Sequence, residues 1–541
     1  MSNLFIFFTA LIISVALIPL MVRVAPRLGM VDIPDPRKVH TIPTARVGGV
    51  GIVIGSLLPI LLWLPLDNAT VAYLFGAIVL LVFGLWDDSR ELGHYVKFIG
   101  QFIAVLAVVY YGDVYVRTFP FTGLESLPAS IGKPFTVFAI VGMINAINHS
   151  DGLDGLAGGL SVLSLGCIAY LAFLADGHQV VAIAIAACGG ILGFLRYNTH
   201  PAGVFMGDGG SQFLGFTLGY LAVLLTQTEN TALSPALPAL FLGLPIIDIL
   251  AVFAQRAYQG MNWFRATKNH IHHRFLELGF DHYEAVVIIY SVQMLFVISA
   301  IALRYETDAL IMSVYLGVCT LLFAFILVAK NRGWRAHPIR RSSGLANIVQ
   351  TLMRNTAVRG APVRVLAVLI PALIIFFGIL ITNVPRDLGI GAAALSFISL
   401  LALIFVRHGD SVLFRASAYI AAAFVVYLET KQTDMLSPAM VAVENGYFIF
   451  LAVTIGLAVR FSTDEKFKTS PLDFLLIFIV VTVGVFSHNQ TQHADLGAIV
   501  AKLVILFYGC ELIISHAKSR WNILNLSALG VLALLSLRAL T

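Results

Sequence analysis

Acidic residues stand at the ends of apolar runs at five positions of this chain, which is otherwise poor in charge. They are Asp87, Asp88, Asp151, Asp154 and Asp208, in the segments GLWDDS, NAINHSDGLDGLA and FMGDGGS. A charged side chain near a bilayer centre costs roughly 2.5–3.5 kcal/mol, and such residues are usually functional. Carboxylates gathered at one membrane face could bind a divalent cation and a phosphate group. The pattern therefore favours an enzyme over a passive membrane scaffold.

The segment from Asn145 to Gly155 is the most specific of these motifs. Its spacing places Asn145, Asn148 and Asp151 near one face of a helix, and the glycines that follow Asp151 and Asp154 allow a backbone or ligand to approach closely. Amide and carboxylate oxygens are hard ligands, suited to Mg²⁺ or to the donors of a nucleotide base. A simple helix cap would not require two amides and two acids together, so the segment predicts a binding site.

Each remaining motif admits more than one interpretation. The pair Asp87-Asp88 could bind Mg²⁺, accept a proton or orient a basic partner, or could be a solvated helix end. Asp208, flanked by glycines, could bring a metal ligand and backbone N–H groups to one phosphate, or could form a tight turn.

The histidines and Arg274 of NHIHHRF could contact a pyrophosphate or form a solvated loop, whereas a zinc site would lack a partnering Cys or a HExxH acid. The segment RKVHTIPTARVGGVGI lacks a complete phosphate-binding loop, and its basic residues, Arg46 among them, could be anchors at the inner face.

The composition bounds the class of protein. Of 541 residues, 59% are hydrophobic and 12% are charged, whereas soluble domains contain about 25% charged residues. The chain is therefore predicted to be a polytopic membrane protein. A net charge of +5 without a basic stripe predicts no binding to nucleic acid. The four cysteines have no CxxC spacing, so they indicate neither a disulfide framework nor a zinc site.

Eleven apolar runs precede residue 330 and predict eleven transmembrane helices, because they lack the alternation of barrel strands. The runs are 3–24, 48–66, 69–86, 97–112, 135–147, 156–175, 178–196, 211–226, 236–253, 284–303 and 309–328. Basic residues follow the first run and none precedes it, which predicts a retained span rather than a secretory signal. With the N-terminus outside, the inner loops contain 16 Lys and Arg residues and the outer loops three. This asymmetry places the polar motifs on the cytoplasmic face.

A basic, polar segment divides the chain into two predicted parts. Residues 1–330 hold the motifs, 331–363 form a cytoplasmic linker, and 364–541 form an additional membrane domain. The second part has seven apolar runs, at 364–384, 388–406, 412–428, 445–459, 471–487, 496–515 and 521–540. Polar residues near these runs form no recognised motif, and anchoring or interhelical hydrogen bonds are their simplest role. A partner-binding module, a lipid-handling domain and an independent enzyme all stay open for this part.

The motifs together resemble the polyprenyl-phosphate N-acetylhexosamine-1-phosphate transferases of glycosyltransferase family 4. The resemblance rests on RKVHTIPTARVGG, the adjacent aspartates, NAINHSDGLDGLAGG, FLRYNTHPAGVFMGDGGS and HIHHR, which occur in the order of the family. It covers about residues 1–330, and nothing carries over to the second part. HIHHR is closer to the GlcNAc-1-phosphate branch than to the branch that transfers phospho-MurNAc-pentapeptide.

The resemblance implies roles for individual residues. Asp208 would be the main Mg²⁺ ligand with help from Asn148, and Mn²⁺ is the alternative ion. Asp87 and Asp88 would lie on the polyprenyl-phosphate side, with Asp88 the candidate for a base, and Lys97 would lie near the phosphates.

The remaining residues would hold the nucleotide and the sugar. The nucleotide contacts would come from Asp151, Asp154, Asn198 and Phe205, whose ring would stack on uracil. The contacts to the pyrophosphate and sugar would come from His272, His273 and Arg274, with His270 and Arg46 as further substrate-binding candidates.

The implied reaction transfers an N-acetylhexosamine-1-phosphate, GlcNAc-1-phosphate by the histidine motif, from a UDP-sugar to undecaprenyl phosphate and releases UMP. It would begin synthesis of a cell-envelope polysaccharide, such as the O-antigen of lipopolysaccharide or a wall teichoic acid. The resemblance further implies a multi-pass protein of the bacterial inner membrane, in contact with membrane lipid, and a homodimer. The alternatives are phospho-MurNAc-pentapeptide transfer and a membrane transporter, although transporter sites usually lie near the membrane midplane.

Overall fold

The computed structural model describes all residues except 1, 35–42, 91, 122–125, 262–268, 337–355, 406–411, 432–437, 462–493, 517–522 and 541. Within the described part, twelve helices are long and apolar enough to cross a membrane, and regular structure other than helix is confined to three short strands. The chain is thus an all-α, multi-pass membrane protein, and the predicted fold class is confirmed. The described helices divide into two compact units.

The first unit contains the helices up to residue 331. They are α1 (Ser2–Val24), α2 (Gly48–Trp63), α3 (Asn68–Arg90), α4 (His94–Leu106), α5 (Ala129–Ser150), α6 (Leu156–Phe173), α7 (His178–Asn198), α8 (Gly207–Leu224), α9 (Pro238–Phe241), α10 (Gly243–Tyr258), α11 (Ile271–Glu277), α12 (His282–Ala302) and α13 (Asp308–Asn331). Every predicted run coincides with one of these helices, except that 236–253 corresponds to the pair α9 and α10. The short helix α11, which carries the histidine motif, was not predicted because it is too short for its apolar period to stand out.

Two helices extend beyond the predicted apolar runs at the polar motifs. The run 69–86 ends before the adjacent aspartates, but α3 continues through them to Arg90. The run 211–226 begins after Asp208, but α8 begins at Gly207, so Asp208 lies in its first turn. Apolar runs underestimate helix length here because polar residues continue a helix once it leaves the apolar layer. An acid in the first turn is also favoured by the positive end of the helix dipole.

Helix α8 is the central element of the first unit. All its residues from Gly209 onward are buried, and it packs against α2, α3, α5, α6 and α7. Its sequence GDGGSQFLGFTLGYLAVL mixes apolar with small residues on several faces, as expected of a helix enclosed by other membrane helices. The start of α8, and Asp208 with it, is therefore surrounded by neighbouring helix ends.

Glycines let the start of α8 contact its neighbours at backbone distance. A Cβ at Gly84 of α3 would overlap the backbone of Gly209, and a Cβ at Gly49 of α2 would overlap the backbone of Gly210. Only residues without a side chain allow such an approach. This packing places the first turn of α8 directly against the end of α3.

The three strands form a small sheet beside the start of α8. Strand β1 (Val31–Asp32) pairs antiparallel with β2 (Thr44–Arg46), and β2 pairs parallel with β3 (Val204–Phe205). Arg46 is thereby the register partner of Phe205. The sheet therefore joins residues 31–46 to the segment that follows α7, although the two are distant in sequence.

The second unit has its own apolar core. Its described helices are α14 (Thr356–Leu380), α15 (Arg386–Phe405), α16 (Val412–Lys431), α17 (Pro438–Phe461), α18 (Ala494–His516) and α19 (Ile523–Leu540). Six of the seven predicted runs coincide with these helices, and the run 471–487 lies outside the described residues. Helix α14 begins at Thr356, inside the segment predicted as a linker, because its first two turns precede the apolar run. Buried side chains from all six of these helices form the core, among them Ile370, Val425, Leu506 and Leu532.

Candidate active site

A lysine between two carboxylates marks the centre of the site. Lys97 Nζ lies 2.7 Å from Asp87 Oδ2 and 2.8 Å from Asp208 Oδ2. Three helices supply these residues, since Asp87 ends α3, Lys97 begins α4 and Asp208 begins α8. The side chain of Asp87 is 9% exposed, whereas those of Lys97 and Asp208 are 27% and 23% exposed. The arrangement thus offers a cation and a carboxylate to a ligand from a mostly buried position.

Asp88 secures the position of Asp208 from the neighbouring helix. The backbone N–H of Asp208 donates to Asp88 Oδ1 at 3.1 Å, and that of Gly209 donates to Asp88 Oδ2 at 3.5 Å. The first N–H groups of a helix have no partner within it, so Asp88 of α3 caps α8 across a helix interface. Asp88 was predicted to lie beside the polyprenyl phosphate. Its hydrogen bonds to the start of α8 show that it also has a structural role.

Amide side chains surround Asp208 on its other side. Asn148 Nδ2 donates to Asp208 Oδ1 at 3.1 Å and to Ser211 Oγ at 2.8 Å. Gln212 Nε2 is 3.4 Å from Asp208 Oδ2, and it belongs to a chain of amides that continues through Gln101 to Asn145. These contacts fix the carboxylate in one orientation. Asn148 was predicted as a partner of Asp208, and the two side chains do meet.

A cavity of about 540 Å³ reaches this centre at Asp208, whereas Lys97 and Asp87 do not line it. Its volume is within the range of about 300–1,000 Å³ that ligand pockets occupy. The residues predicted for the site that line it are Arg46, Asp88, Asn148, Asp151, Asp154, Asn198, Phe205, Asp208 and His273. Residues from five separate motifs therefore face one space. Within it, burial and the negative charges of Asp208 and Asp154 raise the pKa of Asp151 to about 7.

A second group of polar side chains lies along the same cavity. Asp154 Oδ2 is 2.6 Å from His200 Nδ1 and accepts the N–H of Ala202 at 3.1 Å. The rings of His200 and His282 stack with their centres 4.1 Å apart. One ligand atom from each of Asp154, His200 and His282 lies within 4.8 Å of the others, so the three could hold a metal ion. Imidazole nitrogens suit zinc and other transition metals, whereas Mg²⁺ prefers oxygen.

Asn198 makes structural contacts at the edge of the cavity. Its Oδ1 accepts the N–H of Gly155 at 2.9 Å, and its Nδ2 donates to the carbonyl of Val204 at 2.8 Å. It therefore ties the aspartate-rich turn after α5 to strand β3. Arg46, on the central strand β2, lies 2.6 Å from Asp32 Oδ1.

The histidine motif forms a row of rings behind the cavity. The rings of His149 and His270, His270 and His272, and His272 and His273 have centres 5.3, 5.7 and 4.2 Å apart. Burial lowers the pKa of His272 to about 3, so its ring is neutral at physiological pH. Among the described residues its Nε2 atom has no hydrogen-bond partner. Only His273 of the motif lines the cavity, so the structure separates the motif into a lining residue and a supporting row.

Asp248 of α10 holds the histidine motif in place. Its Oδ2 is 2.8 Å from His270 Nδ1, and its Oδ1 accepts the N–H of Ile271 at 2.8 Å. Both Asp248 and His270 are buried, with side chains 6% and 9% exposed. Asp248 therefore fixes the start of α11 and the orientation of the first ring.

Arg274 is directed away from the predicted site. Its guanidinium donates to Gln255 Oε1 at 3.1 Å and to the carbonyl of Asn269 at 2.9 Å, and it lies 5.5 Å from the centre of the Phe323 ring. Arg274, Gln255 and Asn269 border a separate cavity of about 530 Å³. Helix geometry explains the difference from the prediction, because adjacent residues of α11 point to different sides. The structure does not bring Arg274 together with the other predicted residues.

Three functional candidates were missed by the sequence analysis. They are His200, Asp248 and His282. Asp248 stands inside the apolar run GLPIIDIL and so carries the same signal as the aspartates that were singled out. His200 and His282 carry no such signal, because each stands alone in a polar segment and meets Asp154 only in the folded chain.

The fold and the site define a class: a multi-pass membrane protein with carboxylates, a lysine and histidines around one polar cavity. Residues 70–226 match the family described as glycosyl transferase family 4. The chain belongs to this family, in agreement with the resemblance that the motifs indicated.

Three relatives illustrate the similarity. The chain is 34% identical over 303 residues, 56% of this chain and 85% of the relative, to a probable undecaprenyl-phosphate N-acetylglucosaminyl 1-phosphate transferase of Bacillus subtilis. It is 30% identical over 272 residues, 48% of this chain and 76% of the relative, to an undecaprenyl-phosphate alpha-N-acetylglucosaminyl 1-phosphate transferase of Haemophilus influenzae. It is 31% identical over 298 residues, 49% of this chain and 74% of the relative, to a decaprenyl-phosphate N-acetylglucosaminephosphotransferase of Mycobacterium tuberculosis.

Proposed function

We propose that this protein transfers GlcNAc-1-phosphate from UDP-GlcNAc to undecaprenyl phosphate and releases UMP. The observation that carries the proposal is the contact of Lys97 with Asp87 and Asp208 beneath a polar cavity that fits a ligand of nucleotide-sugar size. The names of the relatives support GlcNAc as the sugar and undecaprenyl phosphate as the acceptor. We assign the activity to the first unit, whose last described helix ends at Asn331.

The reaction exchanges one phosphorus–oxygen bond for another. An oxygen of the lipid phosphate attacks the β-phosphorus of UDP-GlcNAc, and the bond from that phosphorus to the bridging oxygen breaks, so that UMP leaves with the electron pair. Such transfers depend mainly on positioning and on neutralising charge. Lys97 provides a fixed positive charge where the phosphates would lie, and Asp88 and Asn148 hold Asp208 in place. The acceptor phosphate is anionic at neutral pH, so the chain need not remove a proton from it.

The other end of the cavity suits the uridine part of the donor. Phe205 offers a ring for stacking, and Asp151 and Asp154 offer oxygens to the N–H groups of a base. His273 and Arg46 line the space between the two ends and would contact the diphosphate and sugar.

The residues around Asp208 fit a divalent cation. Two carboxylates, Asp87 and Asp208, already hold the ammonium of Lys97 between them, and the amide of Asn148 adjoins Asp208. Carboxylate and amide oxygens are the donors that Mg²⁺ and Mn²⁺ prefer. We therefore assign Mg²⁺ to Asp208 and Asn148 rather than to the histidine-containing cluster at Asp154. When bound, the ion would supply positive charge to the phosphate oxygens.

The location of the protein and the membrane side of its site are inferred from the charges of its loops and from its proposed substrates. The excess of Lys and Arg in alternate loops favours a cytoplasmic position for the site, where nucleotide sugars are made. We infer that the protein acts in the bacterial inner membrane, at the initiating step of a cell-envelope polysaccharide. A homodimer stays a prediction from the family.

Metal removal gives the first test. Purified full-length protein is incubated with UDP-GlcNAc and undecaprenyl phosphate, and UMP is measured. We expect UMP release with Mg²⁺, loss of at least about 10²-fold with EDTA because the phosphate charge is no longer neutralised, and recovery when Mg²⁺ is added in excess. Parallel reactions with UDP-GalNAc and with UDP-MurNAc-pentapeptide identify the sugar. Faster release from either alternative would reject GlcNAc as the substrate, and full activity in EDTA would reject the metal.

Replacement of Asp248 tests the support of the histidine row. Asp248→Asn keeps the size of the side chain but sets an NH₂ group against either His270 Nδ1 or the N–H of Ile271. We expect UMP release to fall about 10- to 100-fold, because small displacements in an active site have effects of this size. Glu277→Gln is the matched control: it removes an exposed acid of α11, 3.6 Å from Lys330, and we expect no loss. Equal activity of both variants would show that the row has no part in the reaction.

A further inference from the structure

Three ionisable side chains are buried together within the helices of the second unit. Lys502 of α18 lies 3.0 Å from Glu429 of α16 and is also in ion-pair contact with Glu444 of α17. The exposed fractions of the Lys502, Glu429 and Glu444 side chains are 10%, 5% and 6%. Lys502 Nζ also lies 5.6 Å from the centre of the Phe448 ring. Ionisable groups inside membrane helices are rare and usually mark a proton or ion site.

The positions of the three residues along their helices place the cluster near the helix ends. Lys502 is eight residues after the start of α18, and Glu444 is six residues after the start of α17. A rise of 1.5 Å per residue places them about 12 Å and about 9 Å along their helices. Glu429 is two residues before the end of α16, so the cluster joins one end of three helices. Apolar residues of the unit's core, such as Leu451 and Leu506, follow on the next turns.

The two glutamates share one lysine as their counter-ion. Both carboxyl groups are in ion-pair contact with the ammonium of Lys502. When all three groups are ionised, their net charge is −1, and buried charge of this kind is unfavourable. A proton bound to one of the two carboxyl groups removes the excess charge. A metal cation would instead need several oxygen ligands.

We infer that Glu429, Glu444 and Lys502 form a proton-binding site within the helix bundle of the second unit. The pair of carboxyl groups binds one exchangeable proton, and the ammonium of Lys502 balances the remaining negative charge. Proton binding belongs to the pair rather than to either glutamate alone. The second unit would therefore bind a proton at this site independently of the proposed transferase reaction.

A cavity gives access to the cluster. Glu444 lines a space of about 570 Å³ whose other walls are almost wholly apolar, with Leu373 and Phe377 from α14 and Met440 from α17. An apolar reagent can therefore reach Glu444 through this cavity. Glu429 does not line this cavity.

Other titratable groups lie on the helices packed around the cluster. Those in the described residues are Arg364 on α14, Arg386 on α15, Tyr419 and Tyr427 on α16, Tyr447 on α17, Tyr508, Cys510 and Glu511 on α18, and Arg538 on α19. Tyr447 donates to the carbonyl of Leu369 at 2.9 Å, and Glu511 accepts a hydrogen bond from Tyr419. Glu511 is nine residues from Lys502, about 13 Å along α18. Arg538 donates to the carbonyl of Gly378 at 3.0 Å. The hydrogen bonds of Tyr447, Glu511 and Arg538 are thus made to groups other than the three residues of the cluster.

Modification by dicyclohexylcarbodiimide tests the site, because this apolar reagent reacts with protonated carboxyl groups. Full-length protein is treated with the reagent at several pH values between about pH 5 and about pH 9, a range in which the carboxyl proton would be lost as the pH rises. The modified residue is identified by mass spectrometry. We expect modification of Glu444 near neutral pH and a decline as the pH rises. In Glu429→Gln the remaining glutamate pairs with Lys502 as an ionised carboxylate, so we expect at least 10-fold less modification at neutral pH.

Lys502→Met provides the matched control for access. Without the ammonium both carboxyl groups favour the protonated form, so modification of Glu444 should persist to higher pH than in the unaltered protein. The melting temperature and size-exclusion profile of each variant report on its folding, independently of any transferase assay. If Glu444 were modified in Lys502→Met but not in the unaltered protein, the inference would be overturned. That result would show that the reagent reaches Glu444 and that the carboxyl groups of the unaltered protein hold no proton. Equal modification of Glu429→Gln and the unaltered protein would also overturn it.

Discussion

Asp208→Asn is expected to lower UMP release by about 10³-fold, the loss expected when one pre-organised charged group of an active site is removed. The asparagine keeps the shape of the side chain and its place in the first turn of α8, but it cannot balance the charge of Lys97, 2.8 Å away. It also removes the carboxylate that we assign to Mg²⁺. Initial rates with saturating UDP-GlcNAc and undecaprenyl phosphate measure the change.

Asp113→Asn is the matched control for this prediction. Asp113 also pairs with a lysine, since its Oδ1 is 2.8 Å from Lys133 Nζ, but its side chain is 58% exposed and it does not line the cavity. Exposed ion pairs contribute little, so we expect full activity. If both variants retained activity, the assignment of Asp208 would be wrong; if both lost it equally, the effect would not be specific to the site.

Gly84→Ala is expected to abolish activity without touching a charged group. The new Cβ would overlap the backbone of Gly209, and backbone on both sides leaves no flexible side chain to move aside. Overpacking of this kind costs about 1–3 kcal/mol. It would also push the first turn of α8 away from Asp88, which holds the N–H groups of Asp208 and Gly209. We expect at least about a 10²-fold loss of UMP release, together with a lower melting temperature.

Gly142→Ala separates this effect from a general effect of glycine replacement. Gly142 lies in α5 of the same unit, and a Cβ there would meet nothing within 4 Å. We expect activity and melting temperature close to those of the unaltered protein, because substitutions without steric conflict change stability by about 0.5 kcal/mol or less. Comparable losses in both variants would contradict the close approach of α3 and α8.

Hydropathy and local motifs were sufficient to predict the helices and the outline of the site. Each apolar run of the first unit corresponds to a helix because lipid forces the backbone to satisfy its own hydrogen bonds. The meeting of Asn148 with Asp208 followed from the motifs and the family they resemble. Local patterns could not show that Asp88 caps α8, because that contact joins residues 120 positions apart.

The remaining parts of the site depend on tertiary placement. His200 and His282 are 82 residues apart in sequence and yet stack against each other beside Asp154. The direction of Arg274 depends on which side of the short helix α11 faces the cavity, and a sequence motif does not fix that rotation. In the second unit, Glu429, Glu444 and Lys502 stand singly on three helices, so no local motif marks the cluster.

The fate of each phosphorus atom tests the central claim most directly. Purified protein is incubated with undecaprenyl phosphate, Mg²⁺ and UDP-GlcNAc that carries ³²P in either the α- or the β-phosphate. We predict that the β-label moves to the lipid and the α-label stays in solution as UMP, and that Asp208→Asn moves neither. A lipid that gains the sugar without the β-label, with UDP as the soluble product, would contradict the account, as would the absence of any labelled lipid.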